Sequence, residues 1–128
     1  MTTPPTQRLR VLAADYTVEH LPDGLFPTDD SWLALVRAPE GLTVIREVPD
    51  SSRVESGTEL WAGLYGDVAH GLDLPGMLAA VVGPLATAGV PVFVSSTFHS
   101  DLVLVPRARV ADAHAALRAA GHEVAESV

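Results

Sequence analysis

The chain has 128 residues, enough for one compact domain or two very small ones and too few for two large enzyme domains. Its eight basic residues are all Arg, against sixteen Asp plus Glu, so the net charge is −8; such a surface repels phosphate backbones and anionic lipid, and neither nucleic acid nor membrane is an expected partner. The absence of Lys and Cys excludes Schiff-base chemistry, a phosphate-loop lysine, thiolate nucleophiles, disulfides and thiolate metal sites.

Residues 1–8 are polar, carry Pro4 and Pro5, and lack the apolar core of a signal peptide, so a flexible tail on a cytoplasmic protein is expected. Leu9 to Tyr16 reads as a strand, and Pro22, Gly24, Pro27, Asp29 and Asp30 mark a loop. Trp32 to Val36 and Leu42 to Val48 form a hairpin around Pro39, Glu40 and Gly41. After the polar stretch 49–57, Glu59 to Gly66 is another strand.

Leu74 to Phe98 carries no charged residue and is long enough on paper to span a bilayer. Pro75, Pro84, Pro91, Gly83 and Gly89 cut it into a buried helix, a turn and a buried strand instead. Met77, Leu78, Val81, Val82, Leu85 and Ala88 fall on one helical face, with Asp73 as candidate N-cap and Gly89 as the stop. Pro84 predicts a kink or local opening near the helix end. Pro91 to Thr97 and Leu102 to Val105 read as strands joined by a turn at 98–101. Val110, Ala113, His114, Leu117 and Ala120 define a second helix ending at Gly121, and His122 to Glu126 closes as a short strand.

The order from Glu59 is therefore β-α-β-β-α-β, which folds as a ferredoxin-like plait of class α+β, with both helices on one face of a four-stranded antiparallel sheet. At an offset of 60, Trp32 to Val36 lies over Val92 to Ser96, and Leu42 to Ile45 over Leu102 to Val105. The first copy has then lost its helices. The expected organisation is a tail (1–8), a degenerate helix-poor β repeat (9–57) and a complete plait (58–128), packed as one unit.

The run Asp73-Leu74-Pro75-Gly76-Met77-Leu78, the Ala88-Gly89 turn and the Ser95-Ser96-Thr97-Phe98 to Asp101 hairpin resemble the ACT domain family. In particular they resemble small bacterial tandem ACT-like proteins related to aspartate kinase ACT regions and cytosolic arginine sensors. The resemblance covers about 30–126. It implies an ACT domain at about 59–126, a degenerate ACT-like repeat before it, and a free amino acid as ligand. The segment between Glu59 and Gly76, with Asp67, His70 and Gly71, is longer than the resemblance explains.

The residues support such a site on their own chemistry. A glycine-bearing turn before a helix exposes unpaired N–H groups at the positive end of the helix dipole, where a carboxylate is held. Asp73 either faces a ligand ammonium or only caps the helix. Ser95, Ser96 and Thr97 offer hydroxyls to a polar ligand or serve as ordinary turn residues, and Asp101 either contacts ligand or stabilises its hairpin. Arg37, aligned with Thr97 in the repeat, binds a carboxylate in an inter-repeat groove or is a solvated strand end. The expected ligand residues are thus Arg37, Asp73, Leu74, Pro75, Gly76, Met77, Leu78, Ser95, Ser96, Thr97 and Asp101.

The five His residues show no zinc-like spacing. His114 fits a hydrogen-bonded, half-buried role, while His20 and His122 show no partner in the sequence. No nucleophile elbow, phosphate loop or dinucleotide fingerprint occurs, so no catalytic residue, cofactor or metal is assigned. The reading favours an amino acid sensor or regulator over an enzyme. Two alternatives stand: an assembly module without ligand, and a small ferredoxin-like enzyme acting on a hydrophobic metabolite. A sheet with helices on one face needs cover on the other, so a homodimer is expected.

Overall fold

Thr17, Val18 and Glu19 continue to alternate polar and apolar side chains, and the first strand runs on through them to Leu21. In the computed structural model, which describes residues 5–67 and 75–126, β1 spans Arg8–Leu21 and stops at Pro22. β2 (Trp32–Ala38) and β3 (Gly41–Val48) form the anticipated hairpin. Gly41 closes it at φ 139°, where an added Cβ would lie 2.5 Å from the Leu21 carbonyl oxygen. The chain continues as β4 (Trp61–Gly66), α1 (Met77–Thr87), β5 (Phe93–Ser96), β6 (Asp101–Pro106), α2 (Val110–Ala119) and β7 (Glu123–Glu126).

All seven strands share one sheet, ordered β2-β3-β1-β4-β6-β5, with β7 alongside β1. Here the structure departs from the expected four-stranded plait, in which the last strand would flank the first strand of its own unit. Instead β7 pairs in parallel with Arg8 to Val11, so β1 lies between β7 and β4. Leu9 and Val11 join the same apolar cluster as Ala62, Leu64 and Val124, which is what holds β1 in that place. An irregularity between Val11 and Asp15 marks where β1 changes company, because from Asp15 to Leu21 it pairs with β3. Gln7 and Arg8, expected in the tail, are tied in: the Gln7 carbonyl accepts from Glu123 N–H at 3.0 Å, and Gln7 Nε2 donates to the Met77 carbonyl at 2.7 Å.

Strand alternation sorts the sheet into two faces. On one, Leu9, Val11, Ala62, Leu64, Val103 and Val105 pack against Val81 and Leu85 of α1 and Ala113 and Leu117 of α2. On the other, Tyr16, Ile45, Leu102 and Leu104 are buried with Leu12, Ala34, Trp61, Tyr65 and Phe93 around them. β2 and β5 are the ends of the strand order, yet residues of both line a single cavity, so the sheet is curled nearly into a barrel with this second face inside. Gly63 keeps the inside open: a Cβ there would sit 3.0 Å from the Tyr16 ring and 3.2 Å from Leu12.

The helix-side face is covered differently over the first half. Loop 22–31 crosses there, with the Phe26 ring under the Arg37 guanidinium at 5.3 Å and Asp29 accepting from Arg46 at 2.6 Å. Arg46 also donates to Glu19 at 2.9 Å, and Leu42 and Val44 of the same face are fully buried.

Helix α1 starts at Gly76, whose φ of 83° is left-handed and which makes no side-chain cap bond. Asp73, the expected cap, lies outside the described residues. The predicted opening at Pro84 does not occur, for α1 runs unbroken to Thr87. Proline has no N–H to give the carbonyl four residues back, and that carbonyl, of Ala80, instead accepts from His122 Nε2 at 2.8 Å. The other ring nitrogen, Nδ1, accepts from Gln7 N–H at 3.0 Å. A carbonyl can only accept, so His122 is the neutral Nε2–H tautomer, buried and satisfied on both sides. The histidine without a visible partner in sequence thus completes the proline-bearing helix. His114 is half-buried as expected, but its Nε2 has no hydrogen-bond partner among the described residues.

No described helix is long and apolar enough to cross a membrane.

Candidate functional site

β4, β5 and the start of β6 meet at one end of the sheet, because Tyr65 pairs with Leu102, Leu102 with Ser95, and Asp101 with Ser96. The turn after β5 is held by its own backbone: Thr97 N–H donates to the Ser100 carbonyl at 2.7 Å. Thr97 Oγ1 donates to that carbonyl at 3.1 Å and accepts from Ser100 N–H at 3.2 Å. With the threonine proton directed there, the 2.6 Å contact between Tyr65 Oη and Thr97 Oγ1 is made by Tyr65 donating. Ser96 Oγ donates to Asp101 Oδ1 at 2.5 Å. Ser95 Oγ makes no hydrogen bond among the described residues.

Beside this turn is a cavity of about 380 Å3 on the inner face. Its walls are Leu12, Leu33, Ala34 and Leu102, and Tyr65 with Ser95, Ser96 and Thr97 forms the polar margin. It sits at the small end of the range of about 300–1,000 Å3 usual for ligand pockets. Three of the expected residues, Ser95, Ser96 and Thr97, therefore meet at one cavity, with Asp101 bonded to one of them.

The other expected residues are placed elsewhere. Pro75 and Gly76 are exposed at the start of α1, with open space above Gly76. Leu78 packs into the helix-side core, and the Met77 carbonyl is taken by Gln7. None of these four lines the cavity. Arg37 is an exposed residue of β2 stacked over Phe26. Asp73 and Leu74 lie outside the described residues. Sequence reasoning missed Leu12, Leu33, Ala34, Tyr65 and Leu102; Leu12, Ala34, Tyr65 and Leu102 share inward alternation on four different strands, and Leu33 joins them where the β2–β3 register shifts between Trp32 and Ala34. Among the described residues, no group of three or more His, Cys, Asp or Glu is arranged to hold a metal ion.

A second hollow, of about 470 Å3, lies by Ser31, Arg46 and Arg53. Arg46 there is already held by Glu19 and Asp29, and Arg53 by Asp50 at 3.3 Å. The Ser31 hydroxyl and backbone N–H lower the Asp29 pKa below its usual value, with Arg46 adding to the effect. On the inner face, burial raises the Tyr16 pKa above its ordinary value, and the Glu47 charge pushes the same way.

The family model of the ACT domain matches residues 56–119, half of the chain. The chain belongs to the ACT domain family, whose members in general have small-molecule-binding regulatory roles. Among solved structures, a protein of Agobacterium tumefaciens, Atu0741, is 22% identical with a TM-score of 0.79, covering 97% of this chain and 96% of its own. A Vibrio cholerae protein of unknown function, VC0802, described as a possible transport protein, is 24% identical with a TM-score of 0.70, covering 88% and 87%. These likenesses concern the fold, and they extend over the first-half strands that the family match leaves out. No curated protein matches the chain.

Proposed function

We propose that this chain is a free-standing regulatory sensor that binds a free amino acid. The observation that carries the reading is the meeting of Ser95, Ser96 and Thr97 with Tyr65 at a cavity of amino acid size. Hydroxyls beside apolar walls are the chemistry of recognition, suited to orienting a polar head while enclosing a side chain. The reading also keeps the start of α1, whose described residues lie outside the cavity, as a separate element able to hold an anionic group through its unpaired N–H groups.

The reading includes two copies, a degenerate helix-poor one at 9–57 and an ACT domain at 58–128. Its support is the strand order, in which β2-β3-β1 and β5-β6-β4 are arranged alike on either side of the β1–β4 ladder. It also includes a homodimer through β2, an edge strand on which Trp32, Leu33 and Val36 are exposed. Leu33 lines the cavity, so such a contact would shape the ligand site. Light scattering should give twice 13.5 kDa, tightening with salt as the net charge of −8 is screened.

Thermal shift with each of the twenty amino acids tests the sensing reading. A ligand at 100 times its Kd stabilises by about 2.7 kcal/mol, an easily visible rise in Tm. No shift with any of them at millimolar concentration would leave the family's fold serving assembly alone.

A further inference from the structure

The cavity's walls and its margin make different demands on an occupant, and together they specify more than an amino acid in general. Leu12, Ala34 and Leu102 form an apolar floor, with Leu33 at the side contributed by the opposite edge of the sheet. A charged ligand side chain placed there would lose its hydration with nothing to replace it, whereas an aliphatic or aromatic one would shed ordered water. Charge on the ligand must therefore sit at the other end.

At that end the hydrogen-bond inventory is lopsided. All the contacts of this turn are satisfied together when Tyr65 gives its only proton to Thr97 and Thr97 gives its own to the Ser100 carbonyl. The lone pairs of Tyr65 Oη are what remain for a ligand. Ser95 Oγ, on the same face as Tyr65 and Leu102, can accept as well as donate. A ligand N–H group, an ammonium above all, can donate to both oxygens at once. A carboxylate could use only the serine proton and would face the tyrosine lone pairs.

Resting on the sensing reading, we infer that the inner-face cavity is a subsite for an uncharged apolar side chain whose neighbouring ammonium group donates to Tyr65 Oη and Ser95 Oγ. The ligand class is an amino acid of the size of leucine, methionine or phenylalanine.

Titration calorimetry with L-leucine, L-alanine, L-arginine, L-glutamate, 3-methylbutylamine and 4-methylpentanoate tests this, on the intact chain and on Tyr65→Phe and Ala34→Phe. Leucine should bind about 50-fold more tightly than alanine, from its extra buried carbons, and arginine and glutamate should bind more weakly than either. Tyr65→Phe removes the acceptor at a partly exposed position and should weaken leucine about tenfold, the loss of roughly one hydrogen bond to a charged group. It should leave the weak 4-methylpentanoate, which has no N–H donor, unchanged. Ala34→Phe fills the cavity and should abolish binding, with circular dichroism confirming the fold. Tighter binding of arginine or glutamate than of leucine would overturn the apolar subsite and leave the sensor standing. Equal affinity for 3-methylbutylamine and leucine would keep the subsite and remove amino acid recognition. An unchanged leucine affinity in both variants would place the ligand elsewhere and overturn the inference.

Discussion

The two faces of one sheet are built to different ends. The helix-side face is closed: Leu85, Val105, Ala113 and Leu117 are all fully buried, and both helices converge on them. The inner face is closed only around Tyr16, Ile45 and Leu104, and toward the ends of β4 and β5 it opens into the cavity. Curling the sheet buries apolar surface without filling all of it, so close packing is concentrated on one side and the proposed ligand cavity lies on the other.

Substitutions should separate these roles. The largest effect is expected from Leu85→Ala, which empties space in the closed face and should cost about 2–5 kcal/mol in denaturant unfolding. If the fold tolerates it, ligand affinity should stay near its original value. A loss of affinity beyond the loss of folded protein would show that the faces are coupled.

Next comes His122→Ala, which strands the Ala80 carbonyl and the Gln7 N–H together and should cost about 2 kcal/mol. The cost has a specific signature. In a Pro84→Ala background the helix supplies its own N–H to Ala80, so removing His122 should then cost markedly less. Equal costs in the two backgrounds would mean that the histidine does not substitute for the missing proline bond.

Gly63→Ala acts on the inner face and should cost about 1 kcal/mol by pressing on Tyr16 and Leu12. Leu12 also walls the cavity, so this change should alter ligand affinity where Leu85→Ala does not.

The smallest effect is a pH dependence. Tyr16 has its pKa raised by burial, so it stays neutral in the fold above the ordinary value of 10.0. Its contribution is complete below that value and is lost as pH climbs through the raised folded value. Tyr16→Phe should flatten the alkaline fall in stability measured by urea melts at pH 9 and above. An unchanged slope would rule Tyr16 out as its source.

Sequence pattern carried the second half well because its signals are local. The 3.6-residue rhythm of Met77 to Ala88 and the hydroxyl run Ser95 to Thr97 each lie within one element, and both were readable. What was hidden depends on pairing between distant segments. Nothing local in Leu9 or Val11 says that β1 enters between β4 and β7. The walls Leu12, Leu33 and Ala34 become a site only when the sheet curls and brings β2 toward β5. His122 is legible as the answer to Pro84 only once Ala80 and β7 are seen to be neighbours. The start of α1 illustrates a different loss, since an Asp three residues upstream looks like a better cap than the left-handed Gly76 in use.

The central claim, that the ligand lies on the inner face, is tested most directly by methyl-resolved NMR during titration with L-leucine. The methyl signals of Leu12, Leu33, Ala34 and Leu102 should shift together and saturate at one Kd, while those of Leu85, Val105 and Leu117 stay in place. Shifts confined to Leu78 and the helix-side core, with the inner-face methyls silent, would contradict the account.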